Sequence, residues 1–216
     1  MFARSAVARS RSSGESDVDR FERFIEEAVA SVAPSRTAPR ILSSLRNSGF
    51  LEPRELADAD LRELEQTLEL EGLSVGPKGI QTLMRLAAWF ERNREALEFA
   101  SRGAMDEFRT SLREINGIGS ATADRLILFG LGLPTYPVDR ATARISLRHG
   151  WLDESAEVDD LRSTITDLAD EDAARLMRLS ESMERIARVH CRSAHPECEG
   201  CPLRSFLPES GPILPF

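Results

Sequence analysis

The chain has 216 residues, of which 41% are hydrophobic and 30% charged, and its formal net charge is −8 at pH 7. That length supports one large domain or two small lobes with an ample core, in a soluble globular protein. No apolar run approaches membrane-spanning length, and the acidic balance excludes a chain that is basic over its whole surface.

Taken in order, residues 1–18 are rich in Ser and Arg with no apolar period and read as a disordered arm. Phe21, Phe24, Ile25, Ala28, Val29 and Val32 recur at three and four, which predicts a helix over 19–32 ended by Pro34. A second helix follows over 37–47, and two short helices with acidic outer faces over 53–58 and 61–70. Residues 71–78 read as a loop. A long helix over 79–100 turns Ile80, Leu83, Ala87, Trp89 and Phe90 inward, with Trp89 as core. The helix over 104–115 places Arg109, Leu112 and Ile115 on one face and ends at Asn116. Two last long helices span 158–168 and 173–190, and residues 208–216 form a tail. No alternating strand pattern occurs, so the fold class is all-α.

The informative stretch lies between. Gly117 and Gly119 bracket Ile118, which lets the backbone turn with positive φ. Ser120 offers a hydroxyl to the free N–H groups of a helix over 121–129. Bare amides and a helix start together make an anion seat, for which a phosphate is the natural guest. Pro137-Val138-Asp139 then opens another helix, running to Gly150. The charge is uneven. Residues 112–150 carry five arginines against three acids, and 185–207 four against two, while acids gather over 52–71 and 153–172.

Gly117, Gly119, Thr122 and Ala123 followed by Val138-Asp139 resemble the helix-hairpin-helix DNA glycosylase superfamily, endonuclease III-like branch. The resemblance covers roughly 21–207. It implies two helical lobes, one of about 36–136 holding the hairpin and one of about 19–35 with 137–190, a cysteine loop over 191–207, and DNA crossing the cleft between them. It also implies that Gly117, Ile118, Gly119, Ser120, Ala121 and Thr122 grip the DNA backbone, with Lys78 and Arg192 at phosphates, and that Asp139 is catalytic. Read without the upstream hairpin, Asp139 is an ordinary helix N-cap. In bifunctional members a lysine stands in the hairpin where this chain has Ala121, and Lys78 is the sole lysine. A monofunctional enzyme using water follows. Two departures concern lesion recognition. Val32 occupies the position of a Gln or Asn that fills the gap left by the extruded base, with Ser31 and Ser35 nearby. The wedge loop lacks its tyrosine, leaving Leu73 or Val75 to act.

Three cysteines, all in the last quarter, suggest metal binding in a reducing compartment rather than a disulfide framework. Cys191, Cys198 and Cys201 have the spacing C-x6-C-x2-C, which resembles the family's four-cysteine [4Fe-4S] loop, but the fourth position is Leu207. Three readings stand: a cluster whose fourth ligand is His190, His195 or a small molecule, a Cys3His zinc site, or a loop without metal. Arg188, Arg192 and Arg204 would face DNA. The expectation is a monomeric DNA N-glycosylase of base excision repair, acting on duplex DNA with a damaged or mismatched base, cytoplasmic (at the bacterial nucleoid) or nuclear, neither secreted nor membrane-bound. The alternatives are a relative that binds distorted DNA without catalysis, and an interaction protein whose hairpin only packs.

Overall fold

The computed structural model describes residues 17–34, 36–152 and 157–213. All regular structure among them is helical, as the periodicity predicts. The proposed arm, Ser35 and the end of the tail lie outside the described residues, apart from residues 17 and 18, which begin the first helix. No described helix is long and apolar enough to cross a membrane. The described chain divides into two compact units at residues 133 and 134.

The first unit contains α1 (Asp17–Val32), α2 (Ala38–Asn47), α3 (Pro53–Asp58), α4 (Leu61–Leu70) and α5 (Gly76–Arg92). It continues with α6 (Arg94–Glu98), a 3-10 turn (Arg102–Ala104), α7 (Met105–Arg113), α8 (Ser120–Arg125) and a π-helical segment (Leu126–Gly130). The apolar stripe of α1 is buried from Phe21 to Val29, with Phe21 and Phe24 packed edge-on against Phe90 of α5. Phe24 also lies so close to Gly130 that a Cβ there would fall 2.6 Å from the ring. Helix α1 is therefore part of the hairpin unit. The expected grouping of 19–35 with the terminal segments is corrected by these contacts, which sequence periodicity cannot assign to a partner. Trp89 is core, as read, and donates its indole N–H to Ser111 Oγ at 3.1 Å.

Two further boundaries differ. Asn93 breaks the helix predicted over 79–100, and Asn93 Nδ2 donates to Trp89 O at 2.8 Å, a local side-chain bond that competes with helix continuation. The loop predicted over 71–78 ends at Val75, because Gly76-Pro77 starts α5, with proline in its favoured first turn.

The second unit contains α9 (Arg140–Arg148), α10 (Val158–Leu168) and α11 (Ala173–Val189), then the cysteine loop, with a 3-10 turn at Arg204–Phe206. Ile145 of α9 packs with Met183, Ala187 and Cys191, which joins α9 to α11 and to the first cysteine. Asp172 caps α11 by accepting from Ala174 and Arg175 N–H groups at 2.8 and 3.1 Å.

An ion pair that the periodicity does not show ties α7 to α8. Arg109 Nε donates to Asp124 Oδ1 at 2.8 Å, and Asp124 is 1% exposed. Burial pulls the Arg109 pKa down, but hydrogen bonding and the charges of Asp124 and Asp106 outweigh it and hold the guanidinium above its ordinary value. Removing one member of a buried pair strands the other charge. Asp124→Asn is expected to cost about 3 kcal/mol of unfolding free energy, measured by urea titration. A loss below about 1 kcal/mol would show that the pair is not a structural tie.

Candidate functional site

In the first unit the hairpin turn is built by α5, α7 and α8. Leu112, Ile115 and Ile118 are buried, so α7 and the turn are pinned to the core from within. The chain then reverses at Gly117, whose φ is +101°. Gly119 has φ −88° and ψ 177°, extended backbone open to any residue, so only one of the two glycines takes the positive φ expected of both. Gly119 is also the N-cap of α8. Ser120, expected as the cap, is instead the first residue inside the helix. Phosphate recognition at the turn would then fall to backbone amides. Ile118 contributes its backbone alone, because its side chain is core.

The turn has a brace that sequence reasoning missed. Thr82 of α5 is 4% exposed, and its hydroxyl lies 3.1 Å from Asn116 O and 2.9 Å from Lys78 O. A Cβ on Gly117 would fall 2.1 Å from that same oxygen. The threonine thus fills the space that glycine leaves. It also sets the start of α5, with exposed Lys78 on its first turn, beside the hairpin. Through the Thr82 hydroxyl the backbone carbonyl of Lys78 lies near that of Asn116 in the hairpin turn. The wedge expectation fails for Leu73, which is 2% exposed and packed in the core. Val75 and Val32 both flank Gly79, and a valine side chain has no donor or acceptor for an orphaned base. Ser31 turns its hydroxyl back to Ala28 O at 2.7 Å.

In the second unit Asp139 is the N-cap of α9. Its Oδ1 accepts from Thr142 N–H at 2.7 Å, and among the described residues nothing donates to Oδ2. The residue is half-buried, preceded by buried Tyr136, Pro137 and Val138. Asp139 is thus the N-cap of the helix through Oδ1, while Oδ2 has no donor among the described residues. An anion at a helix N-terminus is favoured by the backbone dipoles.

The other end of α9 grips the cysteine loop. Arg144 Nε donates to Cys191 O at 2.9 Å. Arg148, 4% exposed, donates to Arg192 O at 2.6 Å, Ser193 O at 2.7 Å and Cys191 Sγ at 3.3 Å. Cys191, Cys198 and Cys201 line one cavity with Arg148, His149 and Leu207. Burial pushes the Cys198 thiol up, and the neighbouring Cys191 and Cys201 push it further, against the pull of Arg148. Three thiols thus sit within electrostatic reach of one another. Among the described residues no three ligating side chains form a ready-made metal site. His190 also lines the cavity, its ring near Gly200, whereas His195 is exposed outside it. The i and i+4 spacing of Arg144 and Arg148 marks one helix face, but what that face meets is a tertiary fact.

The arginine-rich stretches supply less free charge than their counts suggest. Arg125 Nη2 pairs with Glu27 at 2.7 Å, Arg192 with Glu197 at 3.1 Å, and Arg144 and Arg148 serve the loop. Arg113 and Arg140 are exposed.

No family model matches the chain. Among curated proteins, a "Putative DNA repair glycosylase" of Methanocaldococcus jannaschii is 20% identical over 191 residues, 87% of this chain and 84% of that protein. An endonuclease III of Sulfolobus acidocaldarius is 30% identical over 101 residues, 46% of this chain and 44% of that enzyme. Among solved structures, an endonuclease III in a non-covalent DNA complex matches with TM-score 0.67 and 19% identity, over 91% of this chain and 88% of that one. That likeness is one of fold.

The two hairpin glycines separate in a test. Gly117→Ala meets both left-handed backbone and the Thr82 hydroxyl, and is expected to cost about 1–3 kcal/mol. Gly119→Ala, with open space around it, is expected to stay within about 1 kcal/mol of the parent. Equal losses in thermal unfolding would contradict this reading of the turn.

Proposed function

The chain belongs to the helix-hairpin-helix DNA glycosylase superfamily, endonuclease III-like branch, and from that premise we propose that it is a monofunctional DNA N-glycosylase with Asp139 as its catalytic carboxylate. The observation that carries the reading is the state of that carboxylate. One oxygen is fixed by the Thr142 amide, and no described residue donates to the other.

Cleaving an N-glycosidic bond builds positive charge on the deoxyribose. A fixed carboxylate beside the sugar stabilises that charge and can take a proton from the attacking water. The bond to Thr142 sets the carboxylate's orientation before substrate arrives. The target nucleotide must first leave the base stack, and the hairpin amides and Lys78 would hold backbone phosphates. Ala121 supplies no amine, and the only lysine sits on the first turn of α5. Water is therefore the nucleophile, and the product is an abasic site in an intact strand. With several arginines engaged internally, binding to duplex DNA is modest and strongly salt-dependent.

Cys191, Cys198 and Cys201 fit a thiolate metal centre, since three soft donors line one cavity beside a buried guanidinium that matches their negative charge. A [4Fe-4S] cluster or zinc ion there supplies a structural staple for the loop rather than chemistry on the glycosidic bond. A second reading, a relative that binds distorted DNA without catalysis, is favoured by the buried Leu73 and by Val32.

Asparagine caps helices as well as aspartate does, so Asp139→Asn keeps the fold while removing the charge. Duplexes carrying uracil, oxidised pyrimidines, alkylated purines or mismatches are incubated with each protein, and abasic sites are revealed by hot alkali. The parent is expected to process at least one class, and Asp139→Asn to be slower by roughly 10²–10⁴-fold with thermal stability and DNA affinity retained. Tight binding without product in the parent supports the second reading. Equal rates in both proteins contradict the role of Asp139.

A further inference from the structure

The sequence spacing leaves the cysteine cavity one donor short, because Leu207 stands where a fourth thiolate would be. His149 follows the last residue of α9, lines the same cavity and is 8% exposed. Its Nδ1 lies 2.8 Å from Ile145 O. A carbonyl only accepts, so Nδ1 carries the proton, and in the neutral ring Nε2 holds a lone pair. That Nε2 is buried with no hydrogen-bond partner among the described residues. An unmet buried acceptor is destabilising, so its persistence asks for an explanation. A metal-binding histidine has this arrangement, with the rear nitrogen donating to a backbone carbonyl and the front nitrogen left for the metal. The ring is also held from one side by Trp151, with centroids 4.6 Å apart.

Charge points the same way. Arg148 is buried, and among the described residues its partners are two carbonyls and the Cys191 sulfur, with no carboxylate among them. A buried cation needs a compensating anion. A +2 ion or cluster core held by three thiolates and a neutral imidazole carries one net negative charge, which offsets one guanidinium. The rival histidines are less suited. His195 is exposed and lies outside the cavity wall, and His190 is half-buried with no hydrogen bond holding its ring.

On the reading of this loop as a metal centre, we propose that His149 Nε2 is the fourth donor, making a Cys3His site in place of four thiolates. This donor set suits either a tetrahedral zinc ion or a four-iron cluster with one imidazole-ligated iron. The full chain would be prepared with ¹⁵N-histidine, reconstituted anaerobically with iron and sulfide or, in parallel, with zinc, and assayed for bound metal. Histidine nitrogen at the metal would be read by pulsed EPR of the reduced cluster, or by X-ray absorption for zinc. The parent should show one histidine nitrogen. His149→Ala should lose that signal and release metal to a chelator at least tenfold faster. His190→Ala should keep both properties. Adding Leu207→Cys to His149→Ala should restore metal retention without the nitrogen signal, which covers the case in which the single variant folds poorly. A signal that survives in His149→Ala, or disappears in His190→Ala, overturns the assignment. Metal held with no histidine nitrogen overturns it while leaving the loop reading intact. A parent chain that takes up neither metal overturns both.

Discussion

Helix α9 is held at its C-terminal end, and the chemistry proposed at its N-terminal end depends on that hold. Arg144 and Arg148 donate three bonds to the carbonyls of Cys191, Arg192 and Ser193. Bonds from charged donors are worth more than neutral ones, and here the donor groups are largely shielded from water. A helix behaves as a stiff rod at about 1.5 Å per residue, so Asp139 sits roughly 13 Å along it from Arg148. Whatever orders the cysteine loop therefore also orders the axis on which the carboxylate is mounted. On the proposed reading, the loop would bear on the glycosidic bond through the orientation of this helix.

The hairpin rests on a comparable economy. One residue with positive φ, Gly117, makes the reversal, and one hydroxyl from α5 occupies the space where a side chain would be. Buried Ile115 and Ile118 fix the turn from the core side. The amides facing outward are then presented by a backbone with little freedom to rearrange, which is the condition for holding a phosphate without a further ordering cost. Arg109 and Arg125 turn their charge inward, on Asp124 and Glu27. The acidic total is compatible with a nucleic-acid role resting on local clusters of exposed cations and on oriented amides.

Features governed by local rules were legible in the sequence. The amphipathic stripe of α1, the short helices α3 and α4, the N-cap at Asp139 and the core position of Trp89 follow from spacing and residue type. Features decided by distant packing were not. The Thr82 brace lies 34 residues from its hairpin partner, and the Arg148 contacts with the cysteine loop span more than forty. No periodicity assigns α1 to one unit over the other. His149 reads in sequence as the residue after a helix, and only its buried, half-satisfied ring beside three cysteines marks it. Leu73 shows the reverse error, since an apolar residue in a loop looks available until its burial is known.

The central claim is that a carboxylate and water break the bond, with no amine attached to the sugar. The most direct measurement is a single-turnover reaction on an end-labelled duplex, split between hot alkali, neutral quench and sodium borohydride. The account predicts strand breaks after alkali, intact strands after neutral quench, and no covalent protein–DNA adduct with borohydride. Strand cleavage at neutral pH together with a borohydride-trapped adduct would contradict it.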